Sequence, residues 1–455
     1  MFISRRTAIT TAFPFLARAQ AQITPAMVRY DAEMEPLVRL MEVTPREKCA
    51  AMVMEQSRAN VPYRQLMAAL YLAGVRNVNP RPPGFALHCL FVMHSAHLLS
   101  LEAPSDLRAL PFFYALDLFK ASQERDARQN DYAMAPLTGA LPAADRAGSE
   151  LIAAMEAWDQ DRAERAVAVL ARTRGANEVF ELLWRYGVRD YRNIGHKAIF
   201  VANACRTLQT IGWNHGETVL RSLVLGLLDF GKEPKMNGYA LDDQTYGVNA
   251  RRAPEVWSNG PADPKAVRAM LAAIRETPPA DACNSAKGLS TASIWDAVHL
   301  AAAELTMRTT GGSIITGIHS VSAANAMHWC WQTAADPRVR QLILLQAIGW
   351  MGQFRTWAET QKGTRTLDIT VLPESENMLS QVQTAEGRRR YVAEQLRHII
   401  PKANEVHFYK FPAALIEDMP LVSAEWRPRM AAAMSCYTKG PADPETDAMR
   451  RARAV

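Results

Sequence analysis

Eight of the ten histidines fall in four stretches that otherwise read as apolar helical core: His88, His94 and His97; His196 and His215; His299; and His319 with His328. An imidazole buried without a partner is costly, so several of them in apolar surroundings point to a common centre that satisfies many at once. Helical spacing sorts the candidates. His94 and His97 are three apart and face one site, whereas His88, nine residues before His97, points nearly the opposite way, so at most two of the three are expected to share a ligand. His196 and Asn203, seven apart, lie on one face two turns from each other. Asp296 and His299 have the spacing at which helical bundles present a carboxylate and an imidazole together, although a local Asp–His hydrogen bond explains the pair without metal. Glu304, five positions beyond His299, faces elsewhere. His319 lies near a helix start among small residues that leave room for a ligand, and His328 shares a face with Asn325 instead. His215 sits at the joint between two helices, where it either caps a helix end or reaches a cleft.

Imidazole with carboxylate suits iron, zinc or copper and disfavours calcium or magnesium. The expected ligands of a transition metal are His94, His97, His196, His299 and His319. His196, His319 and Asp296 are the expected acid–base groups, and Asn203, Asn325 and His215 would orient a substrate. Other chemistries lack their motifs: there is no Gly-x-Gly-x-x-Gly, no Gly-Lys-Ser/Thr phosphate loop, no His-Glu-x-x-His and no Gly-x-Ser-x-Gly.

The elements that must position these residues are helices. Helical patterns run over 26–41, 45–58, 63–75, 85–101, 110–123, 147–172, 264–275, 291–307, 317–333 and 338–362. The second opens on Thr44-Pro45-Arg46-Glu47, a threonine cap with proline and glutamate in the first turn. Residues 77–84 break the chain with prolines, and 85–101, apolar on nearly every face, belongs in the core. Residues 230–290, rich in Gly, Pro, Asn and Asp, read as a long loop region serving as a lid, a binding loop or a linker. Two short strands are expected at 366–372 and 405–409, forming at most one small ribbon, and 439–455 reads as a loose tail. The fold expected is one all-α domain over 22–438 with a minor two-strand element. An order of features recurs: Gly195-His196, Ala202-Asn203-Ala204 and Ile211-Gly212-Trp213 are echoed by His319, Ala324-Asn325-Ala326 and Ile348-Gly349-Trp350. The spacings differ, which argues against a duplicated unit.

Residues 1–21 have the three-part layout of an export signal. A basic start carries Ser4-Arg5-Arg6, a mildly apolar stretch follows, and small-residue sites lie at Ala17-Arg18-Ala19 and Ala19-Gln20-Ala21. The paired arginines suit the twin-arginine machinery as a partner, and the segment is too short and too interrupted for a membrane anchor. The expected destination is periplasmic or extracellular. The formal charge is +6, of which Arg5, Arg6 and Arg18 supply three, so the remainder carries too small an excess to suggest nucleic acid. Six cysteines with no Cys-x-x-Cys pair exclude the usual zinc-knuckle and c-type haem patterns, and Cys89, Cys205 and Cys330 in apolar stretches read as buried thiols.

Two segments, 194–228 and 295–354, resemble the questin oxidase-like family, with His196 in Gly195-His196-Lys197-Ala198-Ile199 and His319 in Ile318-His319-Ser320-Val321-Ser322 as the counterparts of its histidines. The resemblance covers about a third of the chain. It implies an all-helical oxidoreductase that uses oxygen to open a ring of an aromatic polyketide. The chain departs from the family in having no histidine over Val61-Pro62-Tyr63-Arg64-Gln65, and export would part it from cytoplasmic NADPH. The leading expectation is an exported oxidoreductase with a histidine-lined centre, iron being its first metal, acting on a small, partly aromatic molecule. A zinc-dependent hydrolase, with Asp296 or Glu217 taking the proton of a metal-bound water, is the first alternative. A non-catalytic binding or scaffold protein, whose histidines complete the core, is the second.

Overall fold

A computed structural model describes residues 27–129, 131–231, 243–252, 254–255, 257–361, 363 and 380–455. Among these the chain forms twenty helices and no β-strand, as an all-α fold requires. None of the described helices is long and apolar enough to cross a membrane. The segment 1–21 and the strand expected at 366–372 lie outside the described residues.

Helices α1 (Met34–Val43), α2 (Cys49–Arg58) and α3 (Tyr63–Asn77) pack beside α4 (His88–Glu102) and α5 (Leu110–Gln129). The all-round apolar character of α4 places it inside, with Cys89 to Met93 and Leu99 buried. The stretch expected as one helix over 147–172 is two, α6 (Ala147–Ala157) and α7 (Gln160–Thr173). Trp158 ends the first in a left-handed conformation at φ 59°, and Asp159 caps the second by accepting from the Arg162 backbone N–H at 3.1 Å. Next come α8 (Ala176–Gly187), α9 (His196–Ile211) and α10 (Gly216–Leu227), then α11 (Tyr246–Asn249), α12 (Pro264–Glu276) and α13 (Pro279–Asn284). The described part of 230–290 is packed, since Thr245 and Asn249 are buried and donate to the Gln346 side-chain carbonyl at 2.8 and 2.9 Å.

Three long helices follow, α14 (Thr291–Arg308), α15 (Ile314–Thr333) and α16 (Pro337–Glu359), each packed on the next across a short connection. The last are α17 (Ala385–Lys402), α18 (His407–Asp418), α19 (Arg427–Cys436) and α20 (Asp447–Arg453). The strand expected at 405–409 is instead the entry to α18. Its short aromatic and β-branched run suggested a sheet, but the apolar stretch continues for a full helix length and buries Tyr409, Phe411 and Leu415. The end expected to be loose carries α20, which seats Met449 in the core. All six cysteines are free.

Four helices form a closed ring: α4 packs on α9, α9 on α15, α15 on α18, and α18 on α4. His88, His196, His319 and His407, all near the starts of their helices, meet at one level. Residues six to ten positions further along each helix meet again at a second level, in His94, Asn203, Arg206, Asn325 and Glu417. All four therefore run in the same direction. Parallel neighbours cannot be joined by the short turns of an up-down bundle, and 108 and 123 positions separate His88 from His196 and His196 from His319. The intervening helices return on the outside. This arrangement accounts for the echo of His196–Asn203 in His319–Asn325, because each pair marks the same two depths in the ring.

Candidate metal centre

Each ligand candidate is aimed by its own backbone. His196 opens α9 after three consecutive left-handed residues, Asn193 (φ 63°), Ile194 (φ 50°) and Gly195 (φ 80°). This conformation is costly for a β-branched residue such as Ile194, and strain of that kind gathers where a side chain must be held in one place. A Cβ on Gly195 would lie 2.9 Å from the Ala323 Cβ of α15, so glycine there allows the two helices to close. The turn presents the Asn193 carbonyl to His196 Nδ1 at 2.6 Å. One helix over, His319 Nδ1 donates to the Ile315 carbonyl at 2.7 Å, and His407 Nδ1 pairs with the Glu405 carboxylate at 2.7 Å.

These bonds fix the tautomers. A carbonyl oxygen only accepts, so Nδ1 of His196 and of His319 carries the proton and Nε2 of each carries a lone pair. Yet His319 Nε2 stands 3.2 Å from His196 Nε2, and His196 Nε2 stands 3.1 Å from His88 Nε2. His88 can give a proton to one of these contacts, and the other still sets lone pair against lone pair. A cation between them removes the conflict. Nitrogen ligands about 2.0–2.1 Å from a tetrahedral ion are roughly 3.3 Å from each other, close to the spacings here. Ligand atoms of His88, His196 and His319 all lie within 4.8 Å of one another. His407 packs its ring 5.1 and 4.8 Å from those of His88 and His319, and its buried Nε2 has no hydrogen-bond partner among the described residues.

Burial, then Lys410 and the neighbouring imidazoles, lowers the basicity of His88 and His196 well below the usual histidine range, and burial with the neighbouring rings does the same for His319. Neutral imidazoles are the form that binds metal. The cluster borders a cavity of about 560 Å³. Leu118, Ile194, Ile315, Val406 and Trp357 give it apolar walls, and Arg125, Asn193 and Glu405 supply polar groups. That size suits a small organic ligand.

The second level of the ring is a hydrogen-bonded network. Glu417 accepts from Arg206 at 2.7 Å and from Asn325 at 2.8 Å, and Arg206 also donates to Asn203 and to Asn325. Burial alone would raise the Glu417 carboxyl, but the Arg206 charge and the His94 and Asn325 contacts bring it down to about 2. Asp418 beside it is pushed well above the carboxylate range by burial and by the Glu417 charge. Lys410, one turn after His407, is buried with no hydrogen-bond partner for its amine among the described residues, and burial brings it down to about 7. It borders a pocket of about 20 Å³ shared with His94, Asn203, Asn325 and Glu417.

The centre thus keeps two of the expected ligands, His196 and His319, and replaces the others. His94 stands 3.5 Å from Glu417 in the second level, and His97 contacts the Tyr63 hydroxyl at 3.2 Å near the surface. His88, set aside on helical phase, is in the centre because it is the first residue of α4, where the ring is entered. His299 forms a second buried group with His328 and Asp418, whose ligand atoms also lie within 4.8 Å of one another. Its Nε2 is 2.8 Å from His328 Nδ1 and its Nδ1 is 3.4 Å from Asp418, an arrangement that a chain of hydrogen bonds explains without an ion. Asp296 accepts from the Ser423 backbone N–H and is not the partner of His299. Asn203 and Asn325 belong to the second level and do not line the large cavity. His215 precedes α10 without a side-chain capping bond and contacts Asn214 in a separate surface pocket. Glu217 is ion-paired with Arg172. His407 was hidden in the misread strand, although His407, Lys410 and Glu417 recur along one helical face.

No family model, no curated protein and no solved structure matches the chain.

Proposed function

We propose that the chain is a metal-dependent oxidoreductase whose His88, His196 and His319 hold a transition-metal ion, iron first and copper second, and which acts on a small molecule in the adjoining cavity. The observation that carries this reading is the meeting of the His196 and His319 lone pairs at 3.2 Å, with both Nδ1 protons already committed to backbone carbonyls. An all-imidazole donor set suits iron, copper or zinc. The bound ion would supply redox or Lewis-acid chemistry at the cavity wall. His407, oriented by Glu405 and with Nε2 unpaired, is the group suited to hold or move a proton beside it. Trp357 and the aliphatic walls offer an apolar surface to the substrate. The resemblance to questin oxidase-like proteins favours dioxygen as oxidant and a partly aromatic substrate.

A zinc hydrolase is the second reading, favoured by the near-tetrahedral nitrogen spacing; His407 would then replace Asp296 and Glu217 as the proton acceptor. Elemental analysis of the purified protein discriminates them. Stoichiometric iron or copper supports the oxidoreductase, zinc supports the hydrolase, and absence of bound metal after reconstitution with each ion sinks both. We also propose export by the twin-arginine route, on the strength of Ser4-Arg5-Arg6 and the small-residue sites. The secreted form should begin after Ala19 or Ala21 by N-terminal sequencing, and a retained Met1 in the cytoplasmic fraction would refute it.

A further inference from the structure

The large cavity offers hydrogen-bond donors that the protein itself leaves unused. Arg125, on α5 at the cavity, is exposed and makes no hydrogen bond or ion pair with the described residues, although it borders the same space as the histidines. Asn193, whose carbonyl orients His196, lines the cavity too, and its Nδ2 is buried without a hydrogen-bond partner among the described residues. Glu405, the one carboxylate in the lining among the described residues, is already engaged by His407 at 2.7 Å and by the Tyr437 hydroxyl at 2.7 Å. The helices α4, α9 and α18 all begin at the centre, so the positive ends of three helix dipoles converge there. A guanidinium, a spare amide N–H and three helix starts make the potential in an otherwise apolar cavity positive. A buried amide donor with no acceptor is costly until a ligand satisfies it.

We infer that the molecule taken into this cavity is an organic anion with an apolar body. Its carboxylate or equivalent oxyanion pairs with Arg125, and a second oxygen near the reacting end accepts from Asn193 Nδ2. The inference rests on the cavity being the substrate site of the proposed enzyme, but it makes no use of the metal. Arg125 recognises the charge and Asn193 the reacting end, while Leu118, Ile194, Ile315 and Trp357 clasp the apolar body.

Calorimetric titration of the full-length protein with 6-hydroxy-2-naphthoate, whose hydroxyl oxygen is the second acceptor, and with its uncharged amide, 6-hydroxy-2-naphthamide, tests the charge preference. The titrations are run on both metal-reconstituted and chelator-stripped protein. The acid should bind at least tenfold more tightly than the amide in both forms, and Arg125→Met should bring the two within about twofold, a loss of at least about fivefold in relative affinity. Asn193→Gly, which keeps the left-handed turn, should weaken both probes several-fold. Equal binding of acid and amide, no binding of either, or an acid preference that survives Arg125→Met in stripped protein would overturn the inference. Failure of the metal reading would look different: no ion bound at all, with the acid preference intact.

Discussion

An imidazole whose Nδ1 is tied to a backbone carbonyl, as in His196 and His319, has one use left for Nε2, so each ring can be tested by its removal. His196→Ala and His319→Ala should each abolish stoichiometric metal binding with helical circular dichroism unchanged, whereas His97→Ala and His215→Ala should leave metal content as it is. A mutant His196→Ala that kept its ion would place the centre elsewhere. Glu405→Gln removes the charge that orients His407 and should leave metal affinity largely as it is, because His88, His196 and His319 hold the ion; a loss of about 10- to 100-fold in equilibrium dialysis would instead make His407 a fourth ligand. Lys410 gives a pH signature. Its folded-state value is lowered from 10.5 to about 7, so between those values the unfolded chain binds the extra proton and stability rises with pH. The cost is complete below about pH 7 and gone above about 10.5. Lys410→Met should therefore raise resistance to urea most near pH 6.5 and hardly at all near pH 10.5; a gain independent of pH would contradict it. Of these residues, His196 and His319 were legible in the sequence because they stand among apolar neighbours at helix starts. His88 was not, because helical phase within α4 says nothing about which end of the helix meets a partner.

At the scale of elements, the left-handed run before α9 is where the centre is most exposed to backbone change. Gly195→Ala would force a Cβ into a conformation that costs roughly 1–2 kcal/mol and set it 2.9 Å from Ala323. It should destabilise the protein by about 2 kcal/mol or more in urea unfolding and reduce metal affinity as His196 shifts. Loss of stability with metal affinity unchanged would show that the turn supports the fold alone. The long amphipathic and apolar patterns gave helices where they were expected, in α3, α4, α14, α15 and α16. Boundaries set by side-chain capping were harder to see, as the split at Trp158 shows. The short run at 405–409 was ambiguous because five residues cannot tell a strand from the first turn of a buried helix.

For the whole molecule, the parallel ring is a property that no local pattern announces. Sequence reasoning reached an all-helical domain, but which four helices enclose the centre depends on contacts between segments a hundred positions apart. On the proposed reading an ion binds the closed ring and not the open chain, so metal at about 100 times its dissociation constant should stabilise the fold by about 2.7 kcal/mol, and a chelator should lower the melting temperature by several degrees. A melting curve indifferent to metal and chelator would argue that the ring closes without an ion. Since His88, His196 and His319 stay neutral well below the ordinary histidine range, metal binding followed by dialysis across pH should hold through that range, and loss of the ion there would contradict it.

The ring also has a consequence in time. Its ligands lie on helices made early, midway and late in synthesis, and the wall formed by α18 is the last to emerge. A chain still being made has three imidazoles with their lone pairs facing an open side, and only the arrival of His407 and its helix closes the pocket around them. On the proposed reading, capture of the ion waits until α15 brings His319 to His88 and His196, and metal content then reports how much of the protein has brought these three helices together.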